Sequence, residues 1–287
     1  MRNLSLDNVT PALERVFEST PDARLKDLMQ ALVRHLHEYA RETKLTQDEW
    51  ASAMQMLLWA GKVSDERRNE FIMFSDTLGL SAVVDMMNGA GGSAETAFSQ
   101  LGPFFQDNLP TESTNVVDLR ADLQGKPVLF CGKVVDSDGA PIANAQIDAW
   151  QTDNDGLYDL QVPGLKGTRL RCRLLTDQEG KFFLKTIQPL GYTAPMDGPG
   201  GRMLMATQRN IWRPGHYHFK LEADGYRTLV TELFPEGDEH LDNDVAFGVR
   251  SSLVIELPQC ESAELGEQWG MPVPFAKVDY TFRLARS

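Results

Sequence analysis

Between Leu25 and Tyr39 the apolar residues Leu25, Leu28, Met29, Leu32, Leu36 and Tyr39 recur at three- and four-residue steps, the spacing of one buried stripe along a helix. Asp22 stands where its side chain caps that helix. A second helix is predicted from Thr46, with Glu49 three residues on in a capping-box pattern and Trp50, Met54, Leu57 and Leu58 turned inward. A third is expected from about Ser64, carrying Phe71, Ile72 and Phe74, and a fourth from about Ser81 through Val84 and Met87. The run Gly89-Ala90-Gly91-Gly92-Ser93 then breaks the pattern. Residues 1–100 read as a helical module.

From about Asp118 the period switches to two. Strands are predicted over 128–135, 145–151, 171–176, 181–187, 215–223, 227–233, 251–257 and 277–284, with Ser137-Asp138-Gly139 and Asp224-Gly225 as turns. Eight or so short strands punctuated by Gly, Asp and Pro predict a mostly β fold, an antiparallel sandwich or barrel over residues 101–287.

At 287 residues, 42% hydrophobic and 24% charged, the chain has the makings of a real core. A formal charge of -13 argues against a nucleic-acid groove, which needs a basic stripe. Cys131, Cys172 and Cys260 are widely spaced and odd in number, giving neither a disulfide framework nor a CxxC site, and fit a reducing compartment. With no apolar leader after Met1 and no run near the roughly 20 residues that span a bilayer, a cytoplasmic protein without membrane insertion is expected.

Chemistry concentrates in Arg213-Pro214-Gly215-His216-Tyr217-His218. Two imidazoles one residue apart in an extended segment leave it on the same face, which makes a bidentate metal clamp. Of the other histidines, His35 and His37 lie at i and i+2 on the first helix and do not face each other. His240, among Glu236, Asp238, Glu239 and Asp242, reads as part of a solvated acidic loop. Tyr158 and Tyr192 stand just beyond predicted strand ends, where a rigid scaffold presents binding groups.

Longer segments carry a resemblance. Leu101-Gly102-Pro103-Phe104-Phe105, the run from Gly132 to Tyr158 containing Asp148-Ala149-Trp150-Gln151, Tyr192-Thr193-Ala194-Pro195 and Arg213 to His218 resemble the intradiol ring-cleaving dioxygenases of the catechol and hydroxyquinol 1,2-dioxygenase type. Phe234-Pro235-Glu236-Gly237-Asp238, Leu241-Asp242 and Phe247-Gly248-Val249 extend the likeness, and the helical module looks like the family's. The resemblance implies one non-haem Fe(III) per subunit, bound by Tyr158, Tyr192, His216 and His218 on a β-sandwich, with the helices making a homodimer. Two tyrosinates suit ferric iron, because phenolate is a hard anionic donor. It further implies that a catecholic substrate displaces Tyr192, which doubles as a base, and that Arg213 steadies developing negative charge. Dioxygen then adds to the activated ring, which opens between its two hydroxyl-bearing carbons.

The chain also departs from the family. Glutamine is common fourteen residues after the second histidine, and this chain has Thr231-Glu232. A carboxylate there has three arrangements open to it: pairing with Arg213, a raised pKa of its own, or pointing away. Gly215 and Thr193 stand where Ala and Pro are common beside the ligands, which alters the pocket's shape. Asp85, in Leu80-Ser81-Ala82-Val83-Val84-Asp85, matches an acidic residue of the hydroxyquinol branch, with Ala82, Leu101, Gly102, Pro195 and Glu232 as further pocket candidates. The leading expectation is therefore cleavage of hydroxyquinol (benzene-1,2,4-triol) by dioxygen to maleylacetate. Catechol or a substituted catechol, giving a cis,cis-muconate, is the alternative, and a non-catalytic β-sandwich binding module is the reading from another class. The resemblance also allows a phospholipid or fatty acyl chain in the cleft between the helices.

Overall fold

The computed structural model describes residues 2–66, 68–89, 95–120 and 123–287; the predicted break at Gly89 to Ser93 falls largely outside them. The chain divides into two compact units, Met1–Leu58 and Trp59–Ser287. The first contains α1 (Val9–Phe17), α2 (Ala23–Glu42) and the start of α3 (Gln47–Val63). Asp22 caps α2 by accepting from the Leu25 amide, and Thr46 and Glu49 exchange the capping-box hydrogen bonds ahead of α3. Packing of α1 on α2 buries Ala12 and Val33. Leu25, Leu28, Leu32, Leu36 and Tyr39 on α2 stay exposed, as do Trp50, Met54, Leu57 and Leu58 on α3, which the pattern had turned inward. Periodicity identifies an apolar face without saying what covers it. No helix among the described residues is long and apolar enough to cross a membrane.

The second unit opens with α4 (Glu70–Thr77) and α5 (Leu80–Asn88). The expected start of α4 at Ser64 is six residues early. Ser64 instead donates its hydroxyl to the Ala60 carbonyl and accepts from the Glu70 amide, while Asn69 caps the Phe71 and Ile72 amides. Two five-stranded sheets follow. Their strands in chain order are β1 (Val116–Asp118), β2 (Pro127–Asp136), β3 (Gln146–Gln151), β4 (Arg171–Leu175), β5 (Lys181–Ile187), β6 (Tyr192–Thr193) and β7 (Trp212–Arg213). The series ends with β8 (Tyr217–Glu222), β9 (Leu229–Pro235), β10 (Val254–Ile255), β11 (Gln259–Cys260) and β12 (Phe275–Leu284), with helices α6 (Pro199–Ala206) and α7 (Ala263–Trp269) inserted.

One sheet has the order β1-β5-β2-β12-β11 and the other β10-β9-β8-β3-β4, while β6 and β7 pair with each other. The connections are mostly antiparallel, as the strand pattern predicts, but β12 lies parallel to β2 from Ala276 opposite Val128 to Leu284 opposite Asp136. The predicted strand 251–257 is broken: a single 3-10 turn, Ser251–Leu253, leaves only the two residues of β10. The four two-residue strands are too short for a period-two signal to register in sequence.

The sheets face each other through aromatic side chains. Phe219 of one sheet lies 5.0 Å from Phe130 and 4.9 Å from Phe282 of the other, centroid to centroid, inside a continuous buried cluster with Ile147, Leu174, Leu221 and Leu233. β5 alternates half-buried and buried positions from Lys181 to Thr186, whereas β3 and β9 are buried along almost their whole length. Gly132 has no room for a side chain because the Phe182 ring occupies the place of a β-carbon. Gly132→Ala is therefore expected to destabilise this unit by about 1–3 kcal/mol, read as a lower urea midpoint with the m-value retained.

Candidate metal centre

Four segments bring the candidate residues to one end of the sandwich. His218 lies on β8 opposite Trp150 of β3, and the indole stacks on its imidazole at 4.6 Å and 5°. His216 comes just before β8. Its Nδ1 faces the Pro214 carbonyl at 2.7 Å, which puts the ring proton on Nδ1 and leaves the Nε2 lone pair free. Tyr158 precedes a 3-10 turn, Asp159–Gln161, whose Gln161 side chain accepts from the Tyr158 amide at 3.0 Å. The turn is anchored by Asp159, which is gripped at 3.0 and 2.7 Å by the buried Arg171 guanidinium. Tyr192 sits on β6, opposite Arg213 of β7. Gly156, at a left-handed φ of 74°, lets the Tyr158 loop lie against Gly191 and Tyr192, where a β-carbon would be 3.1 Å from the Gly191 carbonyl.

The side chains converge. Tyr158 Oη is 2.9 Å from His218 Nε2, 3.2 Å from His216 Nε2 and 3.3 Å from Tyr192 Oη, and the two Nε2 atoms are 3.0 Å apart. Donors about 2.0–2.2 Å from one ion at angles of roughly 90–110° are themselves roughly 2.8–3.6 Å apart, so the spacing fits a single transition-metal ion. Phe104 stacks on Tyr158 at 4.5 Å and closes that side.

Behind the donors lies a buried charge cluster. Arg213 donates from Nη1 and Nη2 to Glu232 at 2.8 and 3.1 Å, and from Nε and Nη2 to Asp244 at 3.0 and 3.1 Å. Pairing with Arg213 is thus the arrangement Glu232 adopts among the three open in sequence. Glu232 lies across from His218 in the β8–β9 register, accepts from Ser99 Oγ at 2.6 Å, and approaches His216 Nε2 at 3.4 Å and His218 Nδ1 at 3.5 Å. His216, His218 and Glu232 therefore form a second candidate donor set, although both Glu232 oxygens are already engaged by Arg213. Gly248 leaves room for this cluster, since a β-carbon there would lie 2.7 Å from Glu232 Oε2.

Burial governs the protonation of these groups. It raises Tyr158 well above the usual phenol value, reinforced by Tyr192, and raises Tyr192 against the pull of Arg213. It lowers His216, helped by Arg213, and lowers His218 further with the aid of His216. Burial opposes the charge of Glu232 and Arg213 too, but there the ion pairs win: Arg213 holds Glu232 below the usual carboxylate range, and Asp244 and Glu232 hold Arg213 well above its own.

Pocket candidates are distributed more widely. Gly102 lies against His218, with a β-carbon position 3.3 Å from Cε1, and Leu101 beside it is partly exposed. Ala82 lines a cavity of about 450 Å3 with Met86, Phe247, Val249 and Arg250, whereas Pro195 lines another of about 250 Å3 with Arg68, Phe104 and Gln161. Asp85 is half-buried, and its Oδ2 has no hydrogen-bond partner. His240 is not in a fully solvated loop: it stacks on Trp212 at 5.0 Å with Nδ1 buried. His35 is exposed, and His37 meets Thr10 at 2.9 Å. Sequence reasoning missed Asp244, Ser99 and Asp76. The only available signal was that a buried arginine needs carboxylates, which does not say which of 41 acidic residues supply them.

Comparison with known proteins agrees with this architecture. Residues 101–286 match the dioxygenase family and residues 22–96 its catechol dioxygenase N-terminal region. The hydroxyquinol 1,2-dioxygenase of Nocardioides simplex is 44% identical over 240 residues, 84% of this chain and 81% of that protein. An intradiol ring-cleavage dioxygenase of Aspergillus niger is 37% identical over 285 residues, 99% of this chain and 86% of its own. The crystal structure of a hydroxyquinol 1,2-dioxygenase from Pseudomonas putida DLL-E4 superposes with a TM-score of 0.85 at 37% identity, covering 98% of this chain and 99% of that one. The chain belongs to the intradiol ring-cleavage dioxygenase family and is an enzyme.

Asp76 offers a test of the charge cluster. It is 8% exposed, and burial lifts its carboxyl from 3.8 to about 6, opposed by Ser81 and Arg213 and aided by Glu232 and Asp244. A carboxyl raised on folding weakens the fold once pH passes its unfolded value, with the full cost reached above the folded one. Asp76→Asn should therefore add about 2–4 kcal/mol at pH 8 and little at pH 3.5. Urea unfolding at both values checks this; an equal gain at each would show that Asp76 does not titrate in this way.

Proposed function

We propose that this enzyme is a cytoplasmic hydroxyquinol 1,2-dioxygenase, cleaving benzene-1,2,4-triol between its adjacent hydroxyl-bearing carbons to give maleylacetate. Both atoms of dioxygen enter the product. The observation that carries the reading is the convergence on Tyr158 Oη of the Tyr192 Oη and of the His216 and His218 Nε2 atoms at 2.9–3.3 Å, with the two nitrogens 3.0 Å apart. In it, Tyr158, Tyr192, His216 and His218 hold one non-haem Fe(III). That ion supplies the Lewis acidity that ionises a diol and makes its ring reactive toward dioxygen, and it lowers the phenol pKa values that burial alone would raise. Two tyrosinates favour the ferric state, whereas two His and one carboxylate are the usual ferrous set, and Glu232 is occupied by Arg213.

Tyr192 takes a substrate proton at Oη, and Arg213, its Nη1 3.3 Å from His216 Nε2, stabilises negative charge building on the substrate. Trp150, Phe104 and the sheet behind them exclude water. Asp85 accepts from the third ring hydroxyl, the feature that separates the triol from catechol. The hydroxyquinol enzymes of Nocardioides simplex and Pseudomonas putida support that choice. In this reading residues 101–287 form the catalytic domain and residues 1–100 a module for homodimerisation, with the exposed apolar faces of α2 and α3 covered by a second subunit. A cavity of about 590 Å3 lined by Leu6, Val9, His37, Ala40, Arg41, Lys44 and Leu45 has the apolar wall and basic rim that suit a phospholipid.

Two measurements test the assignment. Iron-loaded protein should be burgundy-red from tyrosinate-to-iron charge transfer, and Tyr158→Phe should weaken or shift the band; protein that stays colourless and iron-free after iron repletion would favour a binding module. Oxygen uptake and product analysis on benzene-1,2,4-triol, catechol and a substituted catechol should rank the triol first. Asp85→Ala should cost about 1–3 kcal/mol in kcat/KM for the triol. Preference for catechol, with Asp85→Ala without effect, would replace the assignment by a catechol 1,2-dioxygenase.

A further inference from the structure

Two buried polar atoms, one on α5 and one on the loop that lines the cavity with Ala82, lack partners, and they are complementary. Asp85 Oδ2 can only accept and Arg250 Nη2 can only donate. Arg250 lines this cavity of about 450 Å3 with Ala82, Met86, Phe247 and Val249. On α5, Asp85 stands three residues after Ala82 and so shares its face of the helix.

The Arg250 guanidinium is not free to wander. Nη1 donates to the carbonyls of Phe247, Gly248 and Val249 at 2.8, 3.2 and 3.0 Å, which fixes the planar fork with Nη2 unspent. The loop it grips is fixed in turn: Asp244 accepts from the Ala246 amide at 3.1 Å and the Gly248 amide at 2.8 Å. Phe247 is held at a left-handed φ of 58°, a strained conformation for a bulky residue. Asp85 feels both sides of this region. Burial and Glu232 raise its carboxyl to about 6, and Arg250 pulls against them. It therefore stands within electrostatic reach of both the Arg213–Glu232 cluster and the Arg250 loop.

Leaving a buried donor and a buried acceptor unmet is unfavourable for both, and a hydroxyl is the small group that satisfies one of each. We propose that Arg250 is a specificity-determining residue that works with Asp85: a ring hydroxyl donates to Asp85 Oδ2 and accepts from Arg250 Nη2, so one O–H is read from two sides. This rests on the triol assignment above. Plain catechol and rings bearing a halogen or alkyl group leave both atoms unmet. A ring carboxylate satisfies Arg250 but faces Asp85 and Glu232.

The test is anaerobic titration of iron-loaded enzyme with benzene-1,2,4-triol and with catechol, followed by the visible charge-transfer band. It is run on wild type, Arg250→Met, Asp85→Asn and the double variant, with Arg250→Lys as the charge-retaining control. Wild type should bind the triol more tightly, and Arg250→Met should reduce the triol-to-catechol affinity ratio by about tenfold. In triol binding, the double variant should lose less than the product of the two single losses, and Arg250→Lys should recover part of the ratio. Equal weakening of both ligands by Arg250→Met, with a lowered Tm, would mean that Arg250 only organises its loop, overturning this proposal while the triol assignment stands. A wild-type preference for catechol would overturn both.

Discussion

One guanidinium ties together the segments that make up the candidate centre. Arg213 lies on β7, pairs through its backbone with the strand bearing Tyr192, and reaches across to Glu232 on β9 and Asp244 in the loop beyond. Glu232 sits opposite His218 in the neighbouring register. Shifting Arg213 would therefore disturb a tyrosine, a histidine and the cavity loop together. Its desolvation is tolerable only because two carboxylates surround it, and removing one partner from such a buried set typically costs about 3–5 kcal/mol. Ser99 and the Asp244 turn complete the cluster by satisfying carboxylate lone pairs that Arg213 leaves open.

Burial and the proposed chemistry make opposite demands on the four donors. A dry interior favours neutral phenols and neutral imidazoles, as the directions for Tyr158, Tyr192, His216 and His218 indicate. Neutral imidazole is already the form that donates a lone pair, so the histidines need no change. The phenols do, and on the proposed reading a trivalent cation held by them would supply the field that lowers their pKa values. Two phenolates and a ferric ion would then carry one net positive charge, close to the one net negative charge of Arg213 with Glu232 and Asp244. Such local balance is what a low-dielectric site requires. It also gives the Glu232 departure a consequence: a glutamine there would leave the surroundings one charge more positive.

Legibility in sequence followed the range of each interaction. The His216–His218 pair could be read because it depends only on extended backbone and a hairpin whose turn, Asp224-Gly225, is local. Capping at Asp22 and Thr46 was readable for the same reason. Tyr158 and Tyr192, 34 residues apart, have no periodic relation to the histidines, and only resemblance grouped all four. Asp244 escaped notice because its role depends on where a loop folds back on Arg213. The stripes on α2 and α3 are wider than one helix layer needs, which leaves some of Leu25, Leu32, Leu36, Trp50 and Leu58 expected on the surface of a single chain, where they are found. Their spacing is the same whether the partner lies in the chain or outside it.

The scaffold divides positioning from selection. Strand register fixes Trp150 against His218 and Glu232 behind it, so one donor is set by the sheet itself and the others are brought to it by the segments around Tyr158, Tyr192 and His216. On the proposed reading selection falls to α5 and to the loop from Asp244 to Arg250, of which Val249 also packs against the sandwich core. Gly248 admits no side chain, since one there would enter the Arg213 cluster, and Arg250 holds its carbonyl. On the proposed reading, this separation lets one ferric centre serve different ring substituents: the energy that distinguishes them is spent on the far side of the ring from the atoms that react.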